Sequence, residues 1–169
     1  EKRKIIAHQR AYHGNTIASA SLSGMHYNHA SFGLPLDGFL HVTPPHHYRY
    51  AQPGESEEDF ATRLADELDA LIEAEGPETV GAFFTEPIMG SGGVIVPPPT
   101  YYERIQAVIR KHDLLLVADE VITAFGRTGN MFGTTTMGLE PDMLVCAKGL
   151  SSAYIPISAL MVNARVFDA

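Results

Sequence analysis

Short apolar runs along this chain alternate with segments whose apolar residues recur at helical spacing. Continuous apolar runs at residues 80–85, 114–118, 143–146 and 156–162 have the length of buried strands, and residues 4–7 form a shorter candidate. A short helix is expected over residues 16–22. Residues 24–55 are rich in Gly, Pro, His and Tyr without a clear period, which predicts a long irregular excursion over the surface.

Two longer helices have start and stop signals. Ser56 is a good N-cap, and Gly76-Pro77 ends the segment that follows it. The apolar stripe between them consists of Phe60, Leu64, Leu68, Leu71 and Ile72. The second helix is predicted to start with a capping box formed by Thr100 and Glu103 and to run to about Lys111.

The alternation of strands with helices predicts the fold class. Strands that are apolar on both faces are typical of a mostly parallel sheet covered by helices on both faces, which is an α/β architecture. Ligands of such sheets bind outside the carboxyl ends of the strands, so the chemistry is expected just after each strand.

The composition restricts the classes of partner that the protein can bind. The 169 residues suffice for one domain with a hydrophobic core, and 20 acidic against 12 basic residues give a formal net charge of −8. This balance argues against a nucleic-acid partner, which would need a basic face. The acidic balance suits a cytoplasmic location. The chain has no apolar run near the roughly 20 residues of a membrane helix, so we expect no membrane partner.

Cysteine and histidine chemistry is not favoured. The single cysteine, Cys146, excludes an internal disulfide and lies in an apolar run that predicts a buried strand. Eight histidines include His41 and the adjacent pair His46-His47, but no carboxylate spacing completes a ligand set. We therefore expect no metal site.

Charged residues follow three of the predicted strands. Glu86 follows residues 80–85, Asp119 follows residues 114–118, and Lys148 follows residues 143–146. Taken singly, each has an ordinary structural explanation, such as a helix cap. Together, an acid and a lysine at neighbouring strand ends can face each other across a crevice of cofactor size.

The order of these motifs resembles the class III (omega-type) aminotransferases over nearly the whole chain. One departure is Ala124, where the family often has glycine. The segments that carry the resemblance are Ala11-Tyr12-His13-Gly14-Asn15-Thr16, Thr85-Glu86-Pro87-Ile88-Met89-Gly90, Ala118-Asp119-Glu120-Val121-Ile122, Phe125-Gly126-Arg127-Thr128-Gly129 and Ala147-Lys148-Gly149. Residues 150–159 also look like the amine:pyruvate branch of this family.

The resemblance implies the large domain of the aspartate-aminotransferase fold (fold type I) and the cofactor pyridoxal 5'-phosphate. Lys148 would form a Schiff base with the cofactor and, once released, would move a proton on the substrate. Asp119 would pair with the pyridine nitrogen and make the ring an electron sink.

The remaining implied site residues surround the cofactor ring. Val121 would pack against one face and Tyr12 would stack on the other, while His13 and Gly14 would shape the turn beside Tyr12. Glu86 would lie near the ring edge and its hydroxyl.

The implied reaction transfers an amino group from an amine or omega-amino acid to a keto acid, with pyruvate expected as acceptor. An aminomutase or another pyridoxal-phosphate enzyme of the same fold remains an alternative, as does a non-catalytic truncated fragment. The resemblance also implies that residues 1–169 are the central part of the large domain of a homodimer. The phosphate-binding loop and the C-terminal small domain would lie outside, leaving the isolated fragment inactive.

Overall fold

A single six-stranded sheet organises the fold in the computed structural model, which describes residues 1–169. The strands are β1 Lys4–His8, β2 Phe39–Val42, β3 Val80–Thr85, β4 Leu115–Asp119, β5 Met143–Cys146 and β6 Ala159–Val162. Their spatial order is β2-β1-β3-β4-β5-β6. All neighbouring pairs are parallel except β5 and β6, which are antiparallel.

Seven α-helices connect or flank these strands. They are α1 Ile17–Leu22, α2 His26–His29, α3 His47–Tyr50, α4 Glu57–Glu75, α5 Tyr101–Lys111, α6 Gly133–Met137 and α7 Ala164–Phe167. None of them combines the length and the apolarity that a bilayer crossing requires.

The main core lies between one face of the sheet and the two longest helices, α4 and α5. Seventeen buried residues form it, among them Phe60, Leu68, Phe83, Ile105 and Leu116. On the other face α1 lies against β1 and β2, and the carbonyl of Leu22 is hydrogen-bonded to Nε2 of His41 at 3.0 Å. The predicted mostly parallel sheet with helices on both faces is confirmed.

Most predicted elements agree with the structure. The runs at 80–85 and 143–146 are strands with the predicted bounds, and the run at 114–118 is a strand displaced by one residue, Leu115–Asp119. Cys146 is buried in β5, as expected. Ser56 caps α4 by accepting a hydrogen bond from the amide of Asp59.

The prediction for residues 24–55 was wrong. This segment contains α2, α3 and the strand β2, which pairs in parallel with β1. β2 has only four residues, lies at the edge of the sheet, and has three half-buried residues. A strand this short, with His41 among its apolar residues, has no readable period.

The predicted capping box at Thr100 was also wrong, although α5 itself was predicted correctly. Thr100 adopts a left-handed conformation with φ 67° and makes no side-chain cap, whereas a capping box needs an extended residue at that position. Its Oγ1 accepts a hydrogen bond from Nε of Arg104 at 3.4 Å instead.

An ion-pair network joins α4 to α5. Nζ of Lys111 lies 2.8 Å from both carboxylate oxygens of Asp69, and Nε2 of His112 lies 2.5 Å from Oδ1 of the same residue. Glu73 completes a group whose potential ligand atoms lie within 4.8 Å of one another. Because the ammonium of Lys111 already occupies the bidentate position on Asp69, we interpret this group as an inter-helix ion-pair network.

The buried imidazole of His8 leads to a pH prediction. Its side chain is fully buried, and Nε2 lies 2.6 Å from the hydroxyl of Tyr101. Burial, with smaller contributions from His13 and His41, lowers the pKa of His8 from 6.5 to about 3. Below pH 6.5 the unfolded chain therefore binds a proton that the folded chain refuses, so stability falls as the pH falls toward 3.

Between about pH 8 and about pH 5.5 we expect this one group to lower the free energy of unfolding by about 1.4 kcal/mol. Urea unfolding of the cofactor-free full-length protein at several pH values measures the effect. His8→Gln is the matched control, because it keeps a polar group facing Tyr101 and cannot titrate. An unchanged pH dependence in this variant would exclude the assignment.

Candidate active site

The carboxyl ends of four parallel strands bring the predicted site residues to one edge of the sheet. Tyr12 and His13 follow β1, Glu86 follows β3, Asp119 ends β4, and Lys148 comes two residues after β5. β4 and β5 are direct neighbours, with Asp119 paired to Val145 in the ladder. The acid and the lysine therefore stand at adjacent strand ends.

The carboxylate of Asp119 is held by two partners. Its Oδ2 lies 2.9 Å from Nδ1 of His13, and its Oδ1 accepts a hydrogen bond from the amide of Val121 at 3.0 Å. The side chain of His13 is only 2% exposed, and its ring packs edge-on against Phe84. The orientation of the carboxylate is thus fixed before any ligand binds.

The turn that carries His13 depends on small residues and local hydrogen bonds. Gly14 has φ 121°, a conformation that side chains rarely adopt, and a Cβ there would lie 2.8 Å from Oγ of Ser19. The amide of His13 donates to Oγ of Ser23 at 2.8 Å. Glycine at position 14 is therefore required for the chain to turn and present His13 to Asp119.

Glu86 is buried and connects two loops. Its Oε1 accepts a hydrogen bond from the amide of Tyr12 at 3.2 Å, and its Oε2 accepts one from the amide of Gly90 at 2.8 Å. Burial raises the pKa of Glu86 above its ordinary value, and the hydrogen bond from Gly90 partly offsets this. The carboxylate therefore positions the backbone of Tyr12 and of Gly90.

Lys148 begins a short 3₁₀ turn, Lys148–Leu150, in a left-handed conformation with φ 45°. This conformation costs a non-glycine residue about 1–2 kcal/mol, and such strain concentrates at functional sites. Lys148 lines an open cavity of about 590 Å³ together with Arg127, Ser151 and Ile155. Its side chain makes none of the hydrogen bonds that join the other site residues to one another.

The neighbouring Gly149 allows close packing against the loop that follows β4. A Cβ at position 149 would lie 2.9 Å from Cδ2 of Phe125. The cavity beside Lys148 is therefore bounded by a tight contact between two loops. A larger cavity of about 800 Å³ lies beside Pro97–Pro99 and the start of α5, where no lysine is present.

Glu120 has a role that sequence reasoning missed. It is fully buried, and its carboxylate accepts hydrogen bonds from Oγ1 of Thr123 at 2.5 Å and from the amides of Gly133 and Thr134 at 2.8 and 2.6 Å. The carboxylate thus ties the end of β4 to the first residues of α6, 13 and 14 residues further along the chain. The sequence offered only the adjacent Asp-Glu pair as a signal.

Replacing Glu120 by glutamine should lower the free energy of unfolding by about 2–3 kcal/mol. The glutamine amide group would place a donor against one of the donors that now face the carboxylate, in a buried position. Urea unfolding of the full-length protein measures the change. The exposed Glu103→Gln is the control, expected to stay within about 0.5 kcal/mol. Equal effects of the two substitutions would contradict this structural role.

Comparison with known proteins identifies the family. The family model described as Aminotransferase class-III matches residues 1–169. The chain belongs to the class III aminotransferase family. The resemblance seen in the motifs of Tyr12, Glu86, Asp119 and Lys148 is thereby confirmed at the level of the family.

Curated relatives from plants are similar over almost the whole chain. A mitochondrial gamma-aminobutyrate transaminase 1 of Oryza sativa subsp. japonica is 54% identical over 168 residues. A probable mitochondrial gamma-aminobutyrate transaminase 2 of the same subspecies is 56% identical over 167 residues. Each match covers 99% of this chain and about a third of the relative, 33% and 34% respectively. The chain thus spans about a third of the length of these relatives.

Solved transaminases share the fold as well as the sequence. The omega transaminase from Pseudomonas jessenii in complex with PMP superposes with a TM-score of 0.98 at 60% identity, covering 99% of this chain and 37% of that one. A transaminase with L-ala gives the same TM-score at 61% identity, covering 99% and 39%. The sheet described above is therefore an incomplete transaminase fold of type I.

Proposed function

We propose that this chain is the central part of a pyridoxal-5'-phosphate-dependent transaminase. It would move an amino group from an amine or omega-amino acid to a keto acid, with pyruvate as acceptor. The observation that carries the proposal is the carboxylate of Asp119, oriented by His13 at the end of β4, beside the strand that leads to Lys148. This pair suits a ligand with a basic ring nitrogen and an aldehyde.

The donor set at the strand ends fits pyridoxal phosphate. Asp119 is 12% exposed, so one side of its carboxylate remains accessible after His13 and Val121 have bonded to it. Lys148 is exposed at the neighbouring strand end, in an open cavity of about 590 Å³ that Asp119 and Tyr12 do not line, and Tyr12 is half-buried on the loop held by Glu86. Asp119 is thus available to the ring nitrogen of the cofactor and Lys148 to its aldehyde. The aromatic ring of Tyr12 is available to one face of the cofactor ring.

When bound, the cofactor would supply an electron sink for the carbanion formed at the substrate carbon. Asp119 would hold a proton at the ring nitrogen. Lys148 would bond the cofactor and later carry the proton that moves on the substrate, since an amine on a long flexible stem can do both. Tyr12 and Val121 would confine the ring from its two faces, and Glu86 would stand near its edge.

The substrate class is inferred from the relatives. Two of those described above are named as gamma-aminobutyrate transaminases, and one solved relative is named as an omega transaminase. These names favour an amine or omega-amino acid donor for this chain. Pyruvate as acceptor depends on the likeness of residues 150–159 to the amine:pyruvate branch.

The assembly is part of the same proposal. Residues 1–169 would form the centre of the large domain of a cytoplasmic homodimer. The phosphate-binding loop and the small domain would be supplied by other parts of the full-length protein. On this basis the 169-residue chain alone would bind the cofactor weakly and would be inactive.

The test uses the full-length protein and a panel of amines and omega-amino acids, with and without pyruvate. We expect consumption of the donor and formation of alanine only when both substrates are present. Turnover of an amino compound without any keto acid would instead favour the aminomutase alternative. No turnover and no visible absorbance from bound cofactor would refute the proposed function and favour a non-catalytic protein.

A further inference from the structure

Two adjacent tyrosines open α5 and lie entirely in the core. Tyr101 and Tyr102 are 1% and 3% exposed, and their rings meet edge-on with centroids 5.0 Å apart. Each hydroxyl is directed at the carboxyl end of a different strand, β1 or β3. Since a buried tyrosine hydroxyl needs a partner, these contacts fix both side chains.

Tyr102 holds the backbone at the end of β3. Its hydroxyl donates to the carbonyl oxygen of Glu86 at 2.7 Å and lies 3.0 Å from Oγ1 of Thr85. A weaker contact of 3.3 Å joins it to the carbonyl of Pro87. The hydroxyl of Tyr102 therefore contacts three successive residues. The middle one is Glu86, whose carboxylate accepts hydrogen bonds from the amides of Tyr12 and Gly90.

Tyr101 holds the end of β1. Its hydroxyl lies 2.6 Å from Nε2 of His8, the last residue of that strand, four positions before Tyr12. His8 also packs edge-on against Phe83 of β3, at a centroid distance of 5.2 Å. The first turn of α5 thus contacts both strand ends from which Tyr12 and Glu86 extend.

We propose that Tyr102, supported by Tyr101, is a positioning residue of the active site. The hydroxyl of Tyr102 fixes the position of Glu86. Through the carboxylate of Glu86 it also fixes the position of the loop that carries Tyr12. Neither tyrosine hydroxyl needs to touch substrate or cofactor. The consequence for catalysis depends on the proposed transaminase function, whereas the consequence for the loop does not.

The first experiment measures hydrogen exchange in the cofactor-free full-length protein. Tyr102→Phe removes only the hydroxyl, and the amides of Tyr12 and Gly90 report on Glu86 because both donate to its carboxylate. We expect exchange in the peptides spanning residues 10–14 and 87–92 to accelerate roughly 3- to 10-fold, the factor equivalent to one net hydrogen bond. Tyr50→Phe is the matched control, since Tyr50 packs against the same core but its hydroxyl bonds neither His8 nor Glu86. It should leave both peptides unchanged.

The second experiment is a double-mutant cycle in the full-length holoenzyme. Tyr102→Phe should lower kcat roughly 5- to 10-fold with little change in the KM for the keto acid, and Tyr50→Phe should not. If Tyr102 acts through Glu86, adding Tyr102→Phe to Glu86→Gln should cause no further loss, so the two effects will not add. A purely structural tyrosine would lower Tm without this coupling.

The outcomes distinguish the positioning role of Tyr102 from the proposed transaminase function. Unchanged exchange at residues 10–14 and 87–92, or additive effects on kcat, would overturn the positioning role. Accelerated exchange together with non-additive losses supports it. Accelerated exchange in a protein whose wild-type form neither transaminates nor binds pyridoxal phosphate would support the positioning of the loop and refute the proposed function alone.

Discussion

Substitution of Lys148 by alanine should abolish transamination in the full-length protein, lowering kcat at least about 10³-fold. Lys148 is the lysine placed at the candidate site, because it follows β5, the strand that pairs with β4 and its last residue Asp119. Alanine removes both the atom proposed to bond the cofactor and the proposed carrier of the proton. Steady-state kinetics and the visible absorbance of the purified protein are the two measurements.

Two control variants sharpen this experiment. Lys148→Arg retains the positive charge but has no amine that can bond an aldehyde, so it should be as inactive as Lys148→Ala. Lys111→Ala removes a lysine that is 53% exposed and paired with Asp69, at the opposite end of α5 from the turn that contacts the strand ends, and should keep full activity. Visible absorbance that persists unchanged in Lys148→Ala would show that another group bonds the cofactor.

Asp119→Asn should reduce kcat by roughly 10³-fold while leaving the cofactor bonded to Lys148. The amide matches the shape of the carboxylate but carries no negative charge to hold a proton on a ring nitrogen. The variant should therefore retain visible absorbance and lose turnover. Kinetics and absorbance spectra of the same preparations test this separation.

The exposed Asp37→Asn serves as the control for this charge change and should have no effect. His13→Gln should give an intermediate loss, since it weakens the 2.9 Å contact that orients Asp119 without removing the charge. Unchanged turnover in Asp119→Asn would refute the electron-sink role.

The sequence predicted best those elements whose signals are local. β3 and β5 are continuous apolar runs bounded by turns, and their predicted bounds agree with the structure. β2 was missed because its signal consists of four residues that become a strand only by pairing with β1. Thr100 was misassigned because its left-handed backbone, which cannot be read from residue types, prevents the cap.

The candidate site was predictable as a set of residues but not as a network. Strand ends and the family resemblance pointed to Asp119, Lys148, Tyr12 and Glu86. The contact of His13 with Asp119 joins residues 106 positions apart, and that of Glu86 with Tyr12 joins residues 74 apart. Such pairings depend on the register of the sheet, which the sequence alone does not specify.

The buried carboxylate of Glu120 should let the segment between β4 and α6 tolerate inserted residues. Residues 121–132 form a ring that is closed by one side chain, because the carboxylate of Glu120 accepts hydrogen bonds from the amides of Gly133 and Thr134 at the far end of the segment. Within that closed ring, Phe125, Gly126 and Arg127 are exposed. Each doubling of the ring's length costs only about 0.6 kcal/mol. Residues inserted at the exposed Gly126-Arg127 should therefore be accepted beside the Lys148 cavity without disturbing the sheet, as long as Phe125 keeps its contact with Gly149.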